Sequence, residues 1–322
     1  MKFVALKNSL KDEVLPAYLI IGEDAFLKQK ALELLKNSVV NSNAELNSIF
    51  FSTDNLEADR VIDACNTMPF FADKKLVVVT EYEKKNSDSL ITKLDEYLNA
   101  PNTSTCLVLV GEQDSKYFEP LTKKLEVIDC GKLNTEVLSK IVLSMAKENG
   151  KQMSIQAVNT LIDYCNNDLA RINIELLKLS SGSASDAIEL KDIAGNVNKD
   201  LEFQVYELTN ALGNKNAESS FVILNNLLEN KNTVSAVLAS IYKHFRRLFH
   251  ISVSGLNDKE LADKLEVKEY AILKAREQVG KFSPLVLKQI NEMCVDIDYK
   301  CKIGKMDAEN GINFLVLNIL NM

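Results

Sequence analysis

One alternation, confined to the part of the chain before Gly131, constrains the fold more than any other feature. Ala17-Tyr18-Leu19-Ile20-Ile21 is an apolar run of strand length ended by Gly22-Glu23-Asp24; Leu27, Ala31, Leu34 and Leu35 then recur at helical spacing, with Asp24 placed as their N-cap. The unit repeats. Ser48-Ile49-Phe50-Phe51 predicts a second strand, Asn55 to Met68 a helix, Leu76 to Thr80 a third strand and Ser89 to Leu98 another helix. Thr105 to Val110, closed by Gly111, predicts a fourth strand, and Leu125 to Cys130 a last short one. Strand-helix alternation of this kind implies a mostly parallel sheet with helices on both faces.

After Gly131 the strand pattern stops. Thr135 to Asn149 is helical and ended by Gly150, Ser154 caps a helix through Cys165 that breaks at Asn166-Asn167, and Leu169 to Leu179 supplies a third. Ser181 to Asp186 is the most loop-like segment, and Asp192 to Asn198 an equal candidate for the boundary that follows. From Phe203 everything is helical in pattern: Phe203 to Leu212, Ala217 to Leu228, Thr233 to Ile251, Asp258 to Leu265, Tyr270 to Val279, a longer helix opened by Ser283-Pro284, and Asp307 to Leu320. The expected class is therefore α/β followed by all-α.

One segment is out of step with the core. Ala58, Val61, Ile62, Cys65 and Met68 form the apolar face of a helix that ends near Pro69, which restricts Met68. Between that helix and Leu76-Val77-Val78-Val79, where turn residues are expected, stand Phe70 and Phe71. Either the rings fold back under the sheet, as most phenylalanine does, or they protrude as an aromatic plug for a partner's pocket.

Composition narrows the class. The length of 322 residues exceeds one typical domain, and 46% apolar with 26% charged residues is the make-up of a folded protein. The net charge of −7 is uneven, with residues 231–322 at +3 and residues 1–230 at −10, which argues against a stand-alone nucleic-acid binder. Cys65, Cys106, Cys130, Cys165, Cys294 and Cys301 include no CxxC pair, so they are expected to be buried free thiols in a reducing cytosol. The N-terminal run has too short an apolar core for a signal peptide and no run approaches membrane-spanning length, so a cytoplasmic location without membrane contact is expected.

Nucleotide chemistry would sit at the first strand-to-helix turn, where a phosphate loop needs GxxxxGK[ST]. Gly22-Glu23-Asp24-Ala25-Phe26-Leu27-Lys28 lacks the second glycine and the GK[ST] run, and it places two carboxylates where the anion would sit with no offsetting lysine at the correct spacing. Glu81, after the third strand, has no neighbouring Asp and is expected to be a solvated carboxylate. His244 and His250 lie on different faces of one helix, so no metal site is expected, and no nucleophilic triad has local support. Lys243, Arg246 and Arg247, interleaved with Tyr242, Phe245 and Phe249, form either a weak DNA-contact face or, on the plainer reading, a solvated face with its aromatics turned inward.

Four stretches in order carry a resemblance that covers essentially the whole chain. They are Tyr18 to Asp24, Asn66 to Val78, Asn167 to Leu179 and Phe203 to Leu212. Together they resemble the delta subunit of the bacterial DNA polymerase III clamp loader. The resemblance implies an AAA+-like clamp-binding α/β domain without a working phosphate loop (1–132), a three-helix lid (133–199) and an all-helical collar (200–322) through which loader subunits associate. It further implies a non-catalytic subunit of the polymerase holoenzyme that needs no cofactor and does not hydrolyse ATP. Its partners would be the sliding clamp, sister loader subunits and, indirectly or weakly, DNA. The family's clamp-opening tip matches Met68, Phe70 and Phe71, while Pro69 departs from the residue found in some relatives. Two other classes remain open on the residues alone: a nucleotide-dependent switch or ATPase on a related α/β fold, and a helical adaptor with no clamp partner, in which both rings are core.

Overall fold

A computed structural model describes residues 1–40, 42–52, 56–80, 88–112, 120–131, 133–182, 185–229 and 233–322. The chain forms two compact units, Met1–Ser144 and Met145–Met322.

In the first unit the order is α1 (Phe3–Asp12), β1 (Ala17–Ile21), α2 (Ala25–Val39), β2 (Ser48–Phe51), α3 (Ala58–Asn66), β3 (Lys75–Thr80), α4 (Asp88–Tyr97), β4 (Thr105–Val110) and β5 (Glu126–Asp129). The five strands are all parallel and lie in the order β2-β3-β4-β1-β5. Strand β1 is thus interior, with Leu19 beside Leu109 on one side and Val127 on the other. Alternate strand residues serve opposite faces. Ala17, Leu19, Val77, Val79, Leu107 and Leu109 pack with Val61 and Cys65 of α3 and Leu90 and Leu94 of α4, whereas α2 lies on β1, β3 and β4 from the other side and α1 packs on α2 and β5. Helix α1 has no counterpart in the sequence reading, because Leu6 is its one fully buried side chain and gives no periodic signal.

The second unit requires a correction to the three-helix module. Helix α5 (Thr135–Glu148) spans the division between the units, and α6 (Ile155–Tyr164), α7 (Leu169–Gly182) and a fourth helix, α8 (Leu190–Asn196), follow. Strands also reappear, as a two-residue parallel pair of β6 (Gln152–Met153) and β7 (Ala187–Ile188). Strands of two residues leave no alternation to detect, and α8 buries only Ile193.

Among the described residues, seven α-helices follow, with a 3-10 turn at Val279–Lys281 between the fifth and sixth: α9 (Leu201–Gly213), α10 (Ala217–Glu229), α11 (Val234–Val253), α12 (Asp258–Leu265), α13 (Glu269–Arg276), α14 (Pro284–Lys302) and α15 (Ala308–Asn321). Side-chain caps start five of them: Asp200, Thr233, Asn257, Ser283 and Asp307 each accept a hydrogen bond from the first turn they precede, and the Asp200 cap places the start of α9 two residues before the Phe203 that the sequence pattern predicts. Helix α11 is central, its Val237, Ile241, Phe245 and Leu248 sharing one core with Leu208 and Leu212 of α9, Ile290 and Cys294 of α14, and Leu315 and Ile319 of α15. Among the described residues no helix is long and apolar enough to cross a membrane.

Candidate functional site

The segment that was out of step in sequence is a turn whose backbone is held and whose side chains are not. Helix α3 stops at Asn66, two residues earlier than the sequence pattern predicts, and its last carbonyls find partners nearby. Thr105 Oγ1 donates to the carbonyl of Cys65 at 2.8 Å, and the buried Lys75 ammonium donates to the carbonyl of Thr67 and to Thr67 Oγ1, the latter at 2.6 Å. Burial lowers the pKa of Lys75, while Cys65 opposes the shift.

Beyond Pro69 the clasp changes. Oδ1 of Asn47, itself buried, accepts from the Phe70 N–H at 2.7 Å, and its Nδ2 donates to the Phe70 carbonyl at 2.9 Å. The Asn47 carbonyl in turn accepts from the N–H of Leu76 at 2.8 Å, which ties the turn to the start of β3. Ser42 Oγ donates to the carbonyl of Phe71 at 3.1 Å. Phe71 stands at φ +47°, in the left-handed region that a bulky residue rarely adopts.

The apolar side chains of this turn face water. Met68 is 84% exposed, Phe70 52% and Phe71 82%, and the two rings meet edge to face with centroids 4.8 Å apart. Neither ring lies under the sheet, so the structure removes the first of the two alternatives for them. Leu46, next to the clasping Asn47, is also exposed. Sequence reasoning missed Asn47, because a lone Asn before a strand looks like an ordinary turn residue and its partner lies 23 positions away.

The first strand-to-helix turn is closed. Helix α2 begins at Ala25, Asp24 Oδ1 takes the N–H of Leu27 at 3.0 Å, and the Asp24 N–H donates to the carbonyl of Cys130 at 3.2 Å. Gly22, at φ +135°, lies so near the end of β5 that a Cβ would stand 2.2 Å from the Cys130 carbonyl carbon. One sequence reading needs correction here. Counted from Gly22, Lys28 does fall where the phosphate-loop motif has its lysine, but Leu27 replaces the second glycine and Gln29 the Ser/Thr. In the fold the Lys28 ammonium donates to the carbonyl of Gly111, at the end of β4, at 3.3 Å.

The basic cluster on α11 divides. Lys243 and Arg246 are exposed, but Arg247 is 6% exposed, with Nη2 3.3 Å from Glu202 Oε1 and Nε donating to the carbonyl of Lys243. Arg247 therefore does not belong to a solvated face; four residues on from Lys243, it turns towards α9. His244 is buried and bonded to Gln278 at 2.8 Å; burial, then Arg247, lowers its pKa to about 4. Burial pushes the thiols of Cys65, Cys106, Cys130, Cys165 and Cys294 up to about 12, so they are protonated core groups, while Cys301 is only partly buried. Among the described residues no three His, Cys, Asp or Glu side chains are placed to hold a metal ion. Glu81 lies outside the described residues.

A five-stranded parallel sheet in the order β2-β3-β4-β1-β5 with β1 inside and its first strand-to-helix turn closed, followed along the chain by helical modules, is an α/β core of AAA+-like topology. Residues 18–131 match the family model of the DNA polymerase III delta subunit, and residues 202–319 the model of that subunit's C-terminal domain. The DNA polymerase III subunit delta of Bacillus subtilis (strain 168) is 25% identical over 337 aligned residues, covering 99% of this chain and 97% of the relative. The solved structure of the Bacillus subtilis DNA clamp loader delta protein superimposes with a TM-score of 0.76 at 24% identity, over 99% of this chain and all of that one. The chain belongs to the delta-subunit family of DNA polymerase III.

Proposed function

We propose that this chain grips a sliding clamp through Met68, Phe70 and Phe71 and favours the open form of the ring, without hydrolysing ATP itself. One observation carries the reading: the chain's exposed aromatic pair stands on a turn whose main chain is fastened by buried Asn47. A preorganised apolar anchor binds with little loss of conformational freedom, and a few such side chains supply most of an interface's energy. If the gripped clamp protomer fits the tip better in the open ring, docking shifts the population by that difference in affinity. The partners would be the clamp and sister loader subunits associating through residues 200–322, with residues 133–199 as the lid, in the cytoplasm. ATP binding by sister subunits would present the tip, and hydrolysis after primed DNA enters would release the clamp.

The closed turn at Gly22 supports a subunit that leaves hydrolysis to its neighbours, since Asp24 occupies the N-terminus of α2 where a phosphate would bind. The test is binding of the purified chain to the clamp from the same organism, beside a Phe70→Ala/Phe71→Ala double variant. The variant is expected to melt within a degree or two of the parent and to lose at least about 2 kcal/mol of binding. Absence of binding by the parent would overturn the reading, and saturable binding of ATP to the isolated chain would favour a nucleotide switch.

A further inference from the structure

We propose that Leu46 is a further clamp-binding residue, a second apolar contact on a different loop that docks on an apolar patch flanking the clamp pocket. The inference rests on the reading of Met68, Phe70 and Phe71 as the gripping tip. The size of that tip creates the need for it. Taking about 200 Å² for each fully exposed side chain, Met68 at 84%, Phe70 at 52% and Phe71 at 82% exposure together present roughly 400 Å². An interface of standard size covers about 800 Å² on each partner, so it draws on the surface around the tip as well.

Among the described residues of the first unit, the exposed large apolar side chains are Val4, Leu46, Phe50, Met68, Phe70 and Phe71. Of the three outside the tip, Leu46 lies on the loop that is bonded to it. Phe50 lies within β2, and Val4 lies on α1, which packs on β5 at the opposite edge of the sheet. Residues 42–47 lead into β2 as the tip leads into β3. Ser48 pairs with Leu76 in the parallel ladder, so both loops leave the same end of the sheet from strands about 5 Å apart.

The main chain at Leu46 is held as firmly as that of the tip. Asn43, at φ +49°, turns the chain so that its carbonyl accepts from the N–H groups of Leu46 at 3.0 Å and Asn47 at 3.1 Å. Asn47 Nδ2, which donates to the Phe70 carbonyl, also donates to the carbonyls of Ser42 and Asn43 at 3.3 Å each. One side-chain amide thus ties the loop of Leu46 to the turn of Phe70, and both apolar contacts are preorganised against each other. Ser42, Asn43 and Glu45 around Leu46 are exposed and polar, which is the rim that surrounds an apolar interface contact. A single inserted plug leaves the chain free to swivel about the plug's axis. A second contact off that axis sets the angle at which the chain sits on the clamp.

The test is binding of the full chain to the clamp from the same organism, with Leu46→Ala and Leu46→Asp set beside the parent, Phe70→Ala/Phe71→Ala and Val4→Asp. Leu46→Ala is expected to bind about fivefold more weakly and Leu46→Asp about fiftyfold, while Val4→Asp changes binding by about twofold or less. Melting temperatures should hold in the Leu46 variants, because the side chain is 60% exposed. A photo-crosslinking amino acid in place of Leu46 is expected to capture the clamp, and one in place of Val4 is not, which reads contact independently of affinity. Absence of clamp binding by the parent overturns the tip reading and this inference together. Binding that is lost in Phe70→Ala/Phe71→Ala, kept within about twofold in both Leu46 variants and accompanied by no cross-link from position 46 overturns this inference and leaves the tip in place.

Discussion

The side-chain amide of Asn47 pairs with both main-chain polar groups of a single residue, Phe70, accepting from its N–H at 2.7 Å and donating to its carbonyl at 2.9 Å. The pairing couples a buried side chain in one loop to an exposed ring in another. Asn47→Ala leaves the Phe70 main chain without these partners and is expected to cost about 1–3 kcal/mol in denaturant unfolding. It should also weaken clamp binding although Asn47 is 1% exposed and can touch no partner. Unchanged affinity would mean that the tip needs no fastening.

Phe71 permits a cleaner separation of stability from binding. At φ +47° a phenylalanine carries backbone strain that glycine does not. Phe71→Gly is expected to hold or raise stability by up to about 1 kcal/mol while removing one anchor, so its affinity for the clamp falls as its melting temperature does not. A loss of stability comparable with a core Phe→Ala change would contradict the exposed placement of the ring.

His244 predicts a pH effect of definite sign. Burial, then Arg247, lowers its folded pKa to about 4 from the ordinary 6.5, so between these values the unfolded chain binds a proton that the folded chain does not. Its contribution is fully present above about pH 6.5 and is lost as the pH falls towards 4, by on the order of 3 kcal/mol. His244→Gln should flatten the fall in melting temperature between pH 6.5 and 4 relative to wild type. Parallel curves would refute the assignment.

Gly22 has no room for a methyl group. With φ at +135° and 2.2 Å to the Cys130 carbonyl carbon, an alanine Cβ has no room unless β1 and β5 separate. Gly22→Ala is expected to cost about 3 kcal/mol or more, read as lost soluble expression or a lowered unfolding midpoint.

The sequence made some of this legible for identifiable reasons. The strands of the first unit are read correctly because parallel strands buried on both faces appear as unbroken apolar runs such as Leu76 to Val79, and the later helices because cap residues such as Ser283 and Asp307 announce them. The tip was visible as an anomaly, two aromatics in place of turn residues, but whether Phe70 and Phe71 point in or out depends on a turn held from Asn47 and Ser42, and no local pattern encodes that. Arg247 shows the limit on a helix face. Its neighbours Lys243 and Arg246 are solvated, and only the position of Glu202 on α9 shows that the third cation turns inward. Helix α8 and strands β6 and β7 escaped because they bury too few side chains to leave a period.

The closure at Gly22 bears on what opening this turn to a phosphate would require. Lys28 already stands at the motif's lysine position, so exchanging Leu27 for glycine and Gln29 for threonine would rebuild the motif's letters without rebuilding its shape. Helix α2 starts at Ala25 and has absorbed the residues that would have to form an open loop, while the Asp24 N–H is committed to the Cys130 carbonyl. Reversal would require the backbone at the ends of β1 and β5 to move apart together. Substitutions at Leu27 and Gln29 alone do not move either strand end, so the letters of a phosphate loop and its shape are separate requirements here.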